Sequence, residues 1–192
     1  MKPPRPRLLL PALLLAAVPA WAEPVNYAFD PVHSRVYWEV RHFGTSTQRG
    51  RFDAAPQGSI TIDREAARGQ VSLSVDTSSV SSGVPALDTM IRSANFLASA
   101  AHPQAYFVAT QFKFDGARVT ELRGEFTLRG VSAPLGLKAI NFACRIDETL
   151  KREVCGGDFE GALVRSEFGS TFGLPFVDDR VRLLISVEGL RE

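Results

Sequence analysis

Asp30, His33 and Ser34 stand together in Asp30-Pro31-Val32-His33-Ser34 and are the residue types of an orienting acid, a base and a nucleophile. Triads assemble from separated elements, so closeness along the chain gives no triad geometry. No Gly-x-Ser-x-Gly turn is present to raise a serine above a sheet. The 3 histidines, His33, His42 and His102, would have to converge to hold a metal. His33 and His42 fall on opposite parities of one strand-like run, and His102 sits beside Pro103, so no metal site is expected. Gly44 to Gly50 lacks the spacing of a phosphate-cradling loop. No catalytic residue is assigned, and Asp30, His33 and Ser34 are read as a turn that opens a strand.

The elements that must position these residues begin after a leader. Lys2, Arg5 and Arg7 precede an apolar run from Leu8 to Val18, and Ala20-Trp21-Ala22 follows with small residues at the cleavage positions. This is the pattern of a secretory signal peptide cut after Ala22. The run is short of the roughly 20 residues a spanning helix needs. Residues 23–192 then form one domain, long enough to bury a core. Removing the three leading basic residues turns the formal charge of +1 into −2. No basic patch speaks for nucleic acid, and no segment speaks for stable membrane insertion. The expected location is the periplasm or the exterior. The only 2 cysteines, Cys144 and Cys155, are expected to pair there as a structural disulfide across a hairpin.

Alternation of apolar and polar residues runs through this domain. Val36, Trp38 and Val40 share one face, and Val71, Leu73 and Val75 alternate with Ser72, Ser74 and Asp76. Leu122, Gly124, Phe126 and Leu128 repeat the pattern, as do Leu135, Leu137 and Ala139, then Phe159, Gly161 and Leu163, then Val181, Leu183, Ile185 and Val187. Phe107 to Phe114 is strand-like, but its apolar residues fall on both parities. Turn signals, Gly156-Gly157 among them, divide the chain into about eight or nine strands. The pattern implies an all-β sandwich or barrel. One segment differs. Leu87, Met90 and Ile91 are spaced as one face of a short helix after Pro85, so Pro85 to Leu97 is read as one or two helical turns across the mouth.

Six segments in order, an opening hairpin and five after it, resemble the YceI-like family. The first is Asp30 to Phe52 with Ser78 to Gly83 after it. Then come Leu87-Asp88-Thr89-Met90-Ile91-Arg92-Ser93-Ala94-Asn95-Phe96-Leu97 and Ala101-His102-Pro103 with Phe107. Leu122 to Leu135 and Arg165-Ser166-Glu167-Phe168-Gly169 complete the set. Three features depart from the family pattern: Asn95-Phe96-Leu97 at the end of the helical segment, apolar Leu87 and Met90 within it, and the Cys144 to Cys155 insert.

The resemblance implies an extended eight-stranded antiparallel lipocalin-like barrel with one or two short helices near the mouth. It also implies an isoprenoid lipid, a polyprenyl compound or long-chain quinone, held in an apolar interior, with no other cofactor. All 13 phenylalanines follow the leader. Phe52, Phe96, Phe107, Phe126 and Phe168 fall at family-like positions and are expected to line the interior. Leu87, Met90 and Ile91 would form the lid, and Arg92 or Arg165 would hold a head group. Two other readings stay open: an enzyme acting on a hydrophobic substrate, and an accessory module of a membrane cytochrome or stress response that carries nothing. A homodimer and a membrane cytochrome partner are likewise left open.

Overall fold

In the computed structural model, residues 23–192 are described, and the leader lies outside them. Eleven strands form one antiparallel sheet. They are β1 (Val25–Phe29), β2 (Arg35–His42), β3 (Ser46–Phe52), β4 (Gln57–Asp63), β5 (Arg68–Asp76), β6 (Val80–Ser81), β7 (Gln104–Asp115), β8 (Arg118–Leu128), β9 (Val131–Asp147), β10 (Arg152–Val164) and β11 (Val177–Arg191). Among the described residues the one α-helix, α1 (Pro85–Arg92), follows β6, and short 3-10 turns cover Thr77–Ser79 and Arg165–Phe168.

The sheet closes because β11 has two partners at different heights. Its C-terminal end pairs with β1, Tyr27 opposite Arg191 and Phe29 opposite Gly189. Its N-terminal part pairs with β2, from Ser186 opposite Arg35 to Val177 opposite His42. At the first level the ring runs β1-β4-β5-β7-β8-β9-β10-β11 and closes through the β1–β11 pairing, an eight-stranded barrel. At the second level β2, β3 and β6 carry the wall round, and the Thr77–Ser79 turn joins β6 back to β5. Closure removes the unpaired edges that an open sheet would expose.

Alternation decides which face turns inward. Val71, Leu73 and Val75 are buried, and so are Leu135, Leu137, Leu183, Ile185 and Val187. Two strands change parity midway, at places where the register shifts. In β7, Ala105, Phe107 and Ala109 are buried; a shift between Ala109 and Gln111 then turns Phe112 and Phe114 toward the core. In β9, Leu135 and Leu137 point in, and the irregularity opposite Asp158 and Phe159 brings Phe142 in after them. An extra residue on one strand of a pair produces such a switch.

The Gly156-Gly157 pair does not form the turn its composition suggests. It lies inside β10, opposite Glu188 and Val187 of β11. A Cβ on Gly156 would lie 2.5 Å from the Val187 oxygen, and one on Gly157 would lie 2.4 Å from the Asn141 oxygen. These glycines permit close strand approach rather than a turn.

Candidate functional site

The barrel encloses a cavity of about 500 Å³. Its wall is almost wholly apolar, built from the inward faces of β2, β5, β7, β8, β9, β10 and β11. One end is the mouth, where β2 and β7 meet loops, α1 and the Arg165–Phe168 turn. The other end is filled by a small cluster of Tyr27, Ile62 and Cys155, with Phe114 and Phe142 packed against it. The Tyr27 hydroxyl donates to Glu153 at 2.9 Å, and Arg64 pairs with the same carboxylate at 2.6 Å. Burial first, and then the bond to Glu153, push the Tyr27 phenol up to about 12, so it stays neutral. Cys144 and Cys155 face each other across β9 and β10 and form the expected disulfide.

Polar side chains that line the cavity gather toward the mouth: His42, Gln48, Thr77, Arg165 and Ser170. Thr77 Oγ1 donates to the His102 oxygen at 2.8 Å. His42 ends β2, and Gln48 lies on β3 opposite Val40. The arrangement suits an amphipathic guest, with an apolar chain in the depth and a polar end at the mouth.

Phe52, Leu87, Met90, Ile91, Phe96, Phe107 and Phe126 all line the cavity. Leu87, Met90 and Ile91 lie on α1, which has no fully buried residue, and reach the cavity from there. Phe168 does not line it. It sits on the 3-10 turn after β10 and packs edge-on behind Phe126 at 5.7 Å, so it buttresses a lining residue. Phe29, Phe112, Phe142 and Phe159 also line the cavity and carried no family-like signal. A short first strand and the two parity switches hid the first three.

The two arginines proposed for a head group have other work. Arg92 is not among the lining residues; its Nη1 donates to the Val80 oxygen at 3.4 Å and ties α1 to β6. Arg165 is buried and does reach the cavity. Its guanidinium donates to four backbone oxygens: Asp178 at 2.9 Å, Ser170 at 2.7 Å, Phe172 at 2.9 Å and Val177 at 2.8 Å. It therefore latches the loop that leads into β11, and it stands 5.8 Å from the Phe96 ring centroid. Burial draws its basicity down, against the nearby Asp179 and Asp178.

The residues that suggested chemistry are spent on structure. Asp30 accepts the Val32 N–H at 2.8 Å on one oxygen and faces His33 Nδ1 at 2.7 Å with the other. The Ser34 hydroxyl is fully buried, donates to the Glu188 oxygen at 3.3 Å and accepts the Glu188 N–H at 3.2 Å. The group locks the β1–β2 turn onto β11. The Asp30 bond raises the His33 imidazole above its ordinary value. Burial works against ionisation of Asp30, but the His33 ring and the Val32 N–H outweigh it and hold the carboxyl low. Glu188 brings a third ligand-type atom within 4.8 Å of these two, although Arg145 also approaches Glu188 at 3.8 Å.

Comparison with known proteins fits this architecture. The YceI-like domain matches residues 27–189. Protein YceI of Escherichia coli O157:H7 is 30% identical over 186 residues, covering 96% of each chain. The Campylobacter jejuni YceI protein superposes with a TM-score of 0.65 at 21% identity, over 79% of this chain and 90% of that one. A polyisoprenoid binding domain from Saccharophagus degradans superposes with a TM-score of 0.60 at 15% identity, over 86% and 98%. With a domain match across nearly the whole barrel and a relative aligned along almost the full length, the chain belongs to the YceI-like family.

Proposed function

We propose that the protein binds and carries an isoprenoid lipid, a polyprenyl compound or long-chain quinone, in the periplasm, and that it catalyses no reaction on it. The observation that carries this reading is the apolar cavity of about 500 Å³ whose polar lining gathers at the mouth. At about 30 Å³ for each water-sized group, that volume takes roughly 17 methylene-sized groups, or three to four isoprene units. Burial returns ~0.8 kcal/mol per methylene, so a chain of this size gains ample driving force before ordering costs are subtracted. The likeness to a polyisoprenoid binding domain supports the choice of cargo. The leader-like segment before Glu23 and the Cys144–Cys155 disulfide support an oxidising compartment.

His42 and Gln48 are the polar mouth residues that face the head group in this reading. Phe52, Phe96, Phe107 and Phe126 hold the chain, and Leu87, Met90 and Ile91 cover it. Titration with quinones of increasing prenyl length tests the proposal. Affinity rises with each unit up to about four and then levels. Equal affinity for a quinone without a tail would contradict it.

A further inference from the structure

The mouth carries three phenylalanines that belong to neither the core nor the cavity wall. Phe43, Phe172 and Phe176 are 58%, 52% and 59% exposed, and none lines the cavity. Phe43 sits at the tip of the β2–β3 hairpin; Phe172 and Phe176 lie on the loop that Arg165 latches before β11. The Phe43 and Phe176 rings stack at 5.2 Å, and the Phe43 N–H donates to the Phe176 oxygen at 2.6 Å. Phe172 meets Phe96 of the lid segment edge-on at 5.6 Å. Met90 of α1 lines the cavity and yet is 49% exposed. The apolar lining therefore runs out over the lip without a polar break at Phe96 and Met90.

Phe43 is held at a cost. Its φ is +50° and that of Gly44 is +66°, and the Thr45 N–H closes the turn onto the His42 oxygen at 3.1 Å. A two-residue hairpin turn with both central residues left-handed favours Asn, Asp or Gly at its first position. An aromatic side chain there is strained, and at this exposure no core contact offsets the strain.

The charges around the lip show no dominant sign, because Arg41, Arg92, Arg129 and Arg180 share this end with Asp88, Glu167, Asp178 and Asp179. The outer wall is different. It carries ion-pair ladders such as Arg49–Glu39–Arg182–Glu160 and Lys113–Glu121–Arg123, which do not suit contact with lipid chains.

We propose that the rim of Phe43, Phe172 and Phe176 seats the barrel mouth-down on the surface of a lipid bilayer, so that cargo moves between bilayer and cavity without crossing water. Aromatic rings suit the bilayer interface, and a rim without net charge makes the attraction apolar rather than electrostatic. The purpose of this docking rests on the lipid-carrier reading, but the docking itself is measured without cargo.

Flotation of the delipidated protein with vesicles of phosphatidylcholine, and with vesicles containing phosphatidylglycerol, tests the proposal. Wild-type protein floats with both, with partition coefficients within about twofold of each other. The triple variant Phe43→Asn, Phe172→Ser, Phe176→Ser loses at least about tenfold in partitioning. Phe43→Asn alone weakens partitioning while raising the melting midpoint, since Asn accepts the left-handed turn; loss of binding is thereby separated from loss of folding. Loading of a fluorescent prenyl probe from detergent solution stays at the wild-type level in every variant. Wild-type protein that stays off both kinds of vesicle overturns the proposal and leaves the rim to a protein acceptor. A triple variant that floats like wild type overturns it too. Flotation without probe loading in any of the proteins retains the docking and removes the carrier reading.

Discussion

Ala105 offers the sharpest separation between binding and folding. It is buried on β7 opposite Val75 and lines the cavity near its mouth. Ala105→Phe places a phenyl ring, about the bulk of one isoprene unit, in space that the cargo would use. Five methylene-sized groups at ~0.8 kcal/mol each make about 4 kcal/mol, or roughly three decades of affinity, if the chain simply loses that room. A chain that slides outward recovers part of it, so the expected loss is between about tenfold and a thousandfold. Folding answers differently. Overpacking a filled core costs typically about 1–3 kcal/mol, but here the ring enters empty volume, so the melting midpoint stays within a few degrees. Trp38 supplies the assay. It lines the cavity, and the other of the 2 tryptophans, Trp21, precedes Glu23 and is left out of a protein made as residues 23–192. Quenching of Trp38 by a long-chain quinone therefore reports occupancy directly. Unchanged affinity in a folded Ala105→Phe protein would refute the placement of the chain in the barrel.

Other outcomes follow from the same structure. Arg165→Met strips the donors from four backbone oxygens. At about 1–3 kcal/mol for each unmet buried group, and with some rehydration, it lowers stability by roughly 3–5 kcal/mol in urea; a loss below about 1 would rule out the latch. The His33–Asp30 contact makes stability depend on pH. The raised His33 value gives stabilisation that is complete below about pH 6.5 and is lost as pH rises through it. The lowered Asp30 value gives stabilisation that is present above about pH 4 and is lost as pH falls through it. Melting midpoints from pH 5 to 8 fall more steeply for wild type than for His33→Gln, and parallel slopes would exclude the pairing. Reduction of the Cys144–Cys155 bridge costs about 2–3 kcal/mol in stability; an unchanged denaturant midpoint on adding dithiothreitol would contradict a stabilising role.

Much of this architecture is legible where one strand keeps one parity. Val71, Leu73 and Val75 read as an inward face from residue types alone, and they are one. Leu87, Met90 and Ile91 read as a helix face, and they fall on α1 with all three lining the cavity. Legibility fails where the backbone departs from period two. Phe112 and Phe142 follow register shifts, so their parity contradicts that of the residues before them. Gly156-Gly157 looks like a turn because glycine marks both turns and close strand contacts, and only the neighbouring strands of the sheet distinguish them. The charged and hydroxylated residues misled in another way. Arg165 and Ser34 have the chemistry of sites, but backbone groups occupy them: for Arg165 those of the irregular loop just after it, for Ser34 the Glu188 peptide on β11, far along the chain, and composition carries no trace of either. The cavity itself is a property of closure, invisible in any one strand.

An isoprenoid chain held in the barrel interior, as proposed, leaves a direct trace. Mass spectrometry of an organic extract of the protein, purified from periplasm without detergent, tests it most directly. The expected extract holds a stoichiometric prenyl lipid or long-chain quinone that is depleted in Ala105→Phe. An extract free of lipid, from protein that also fails to take up added long-chain quinone, would contradict it.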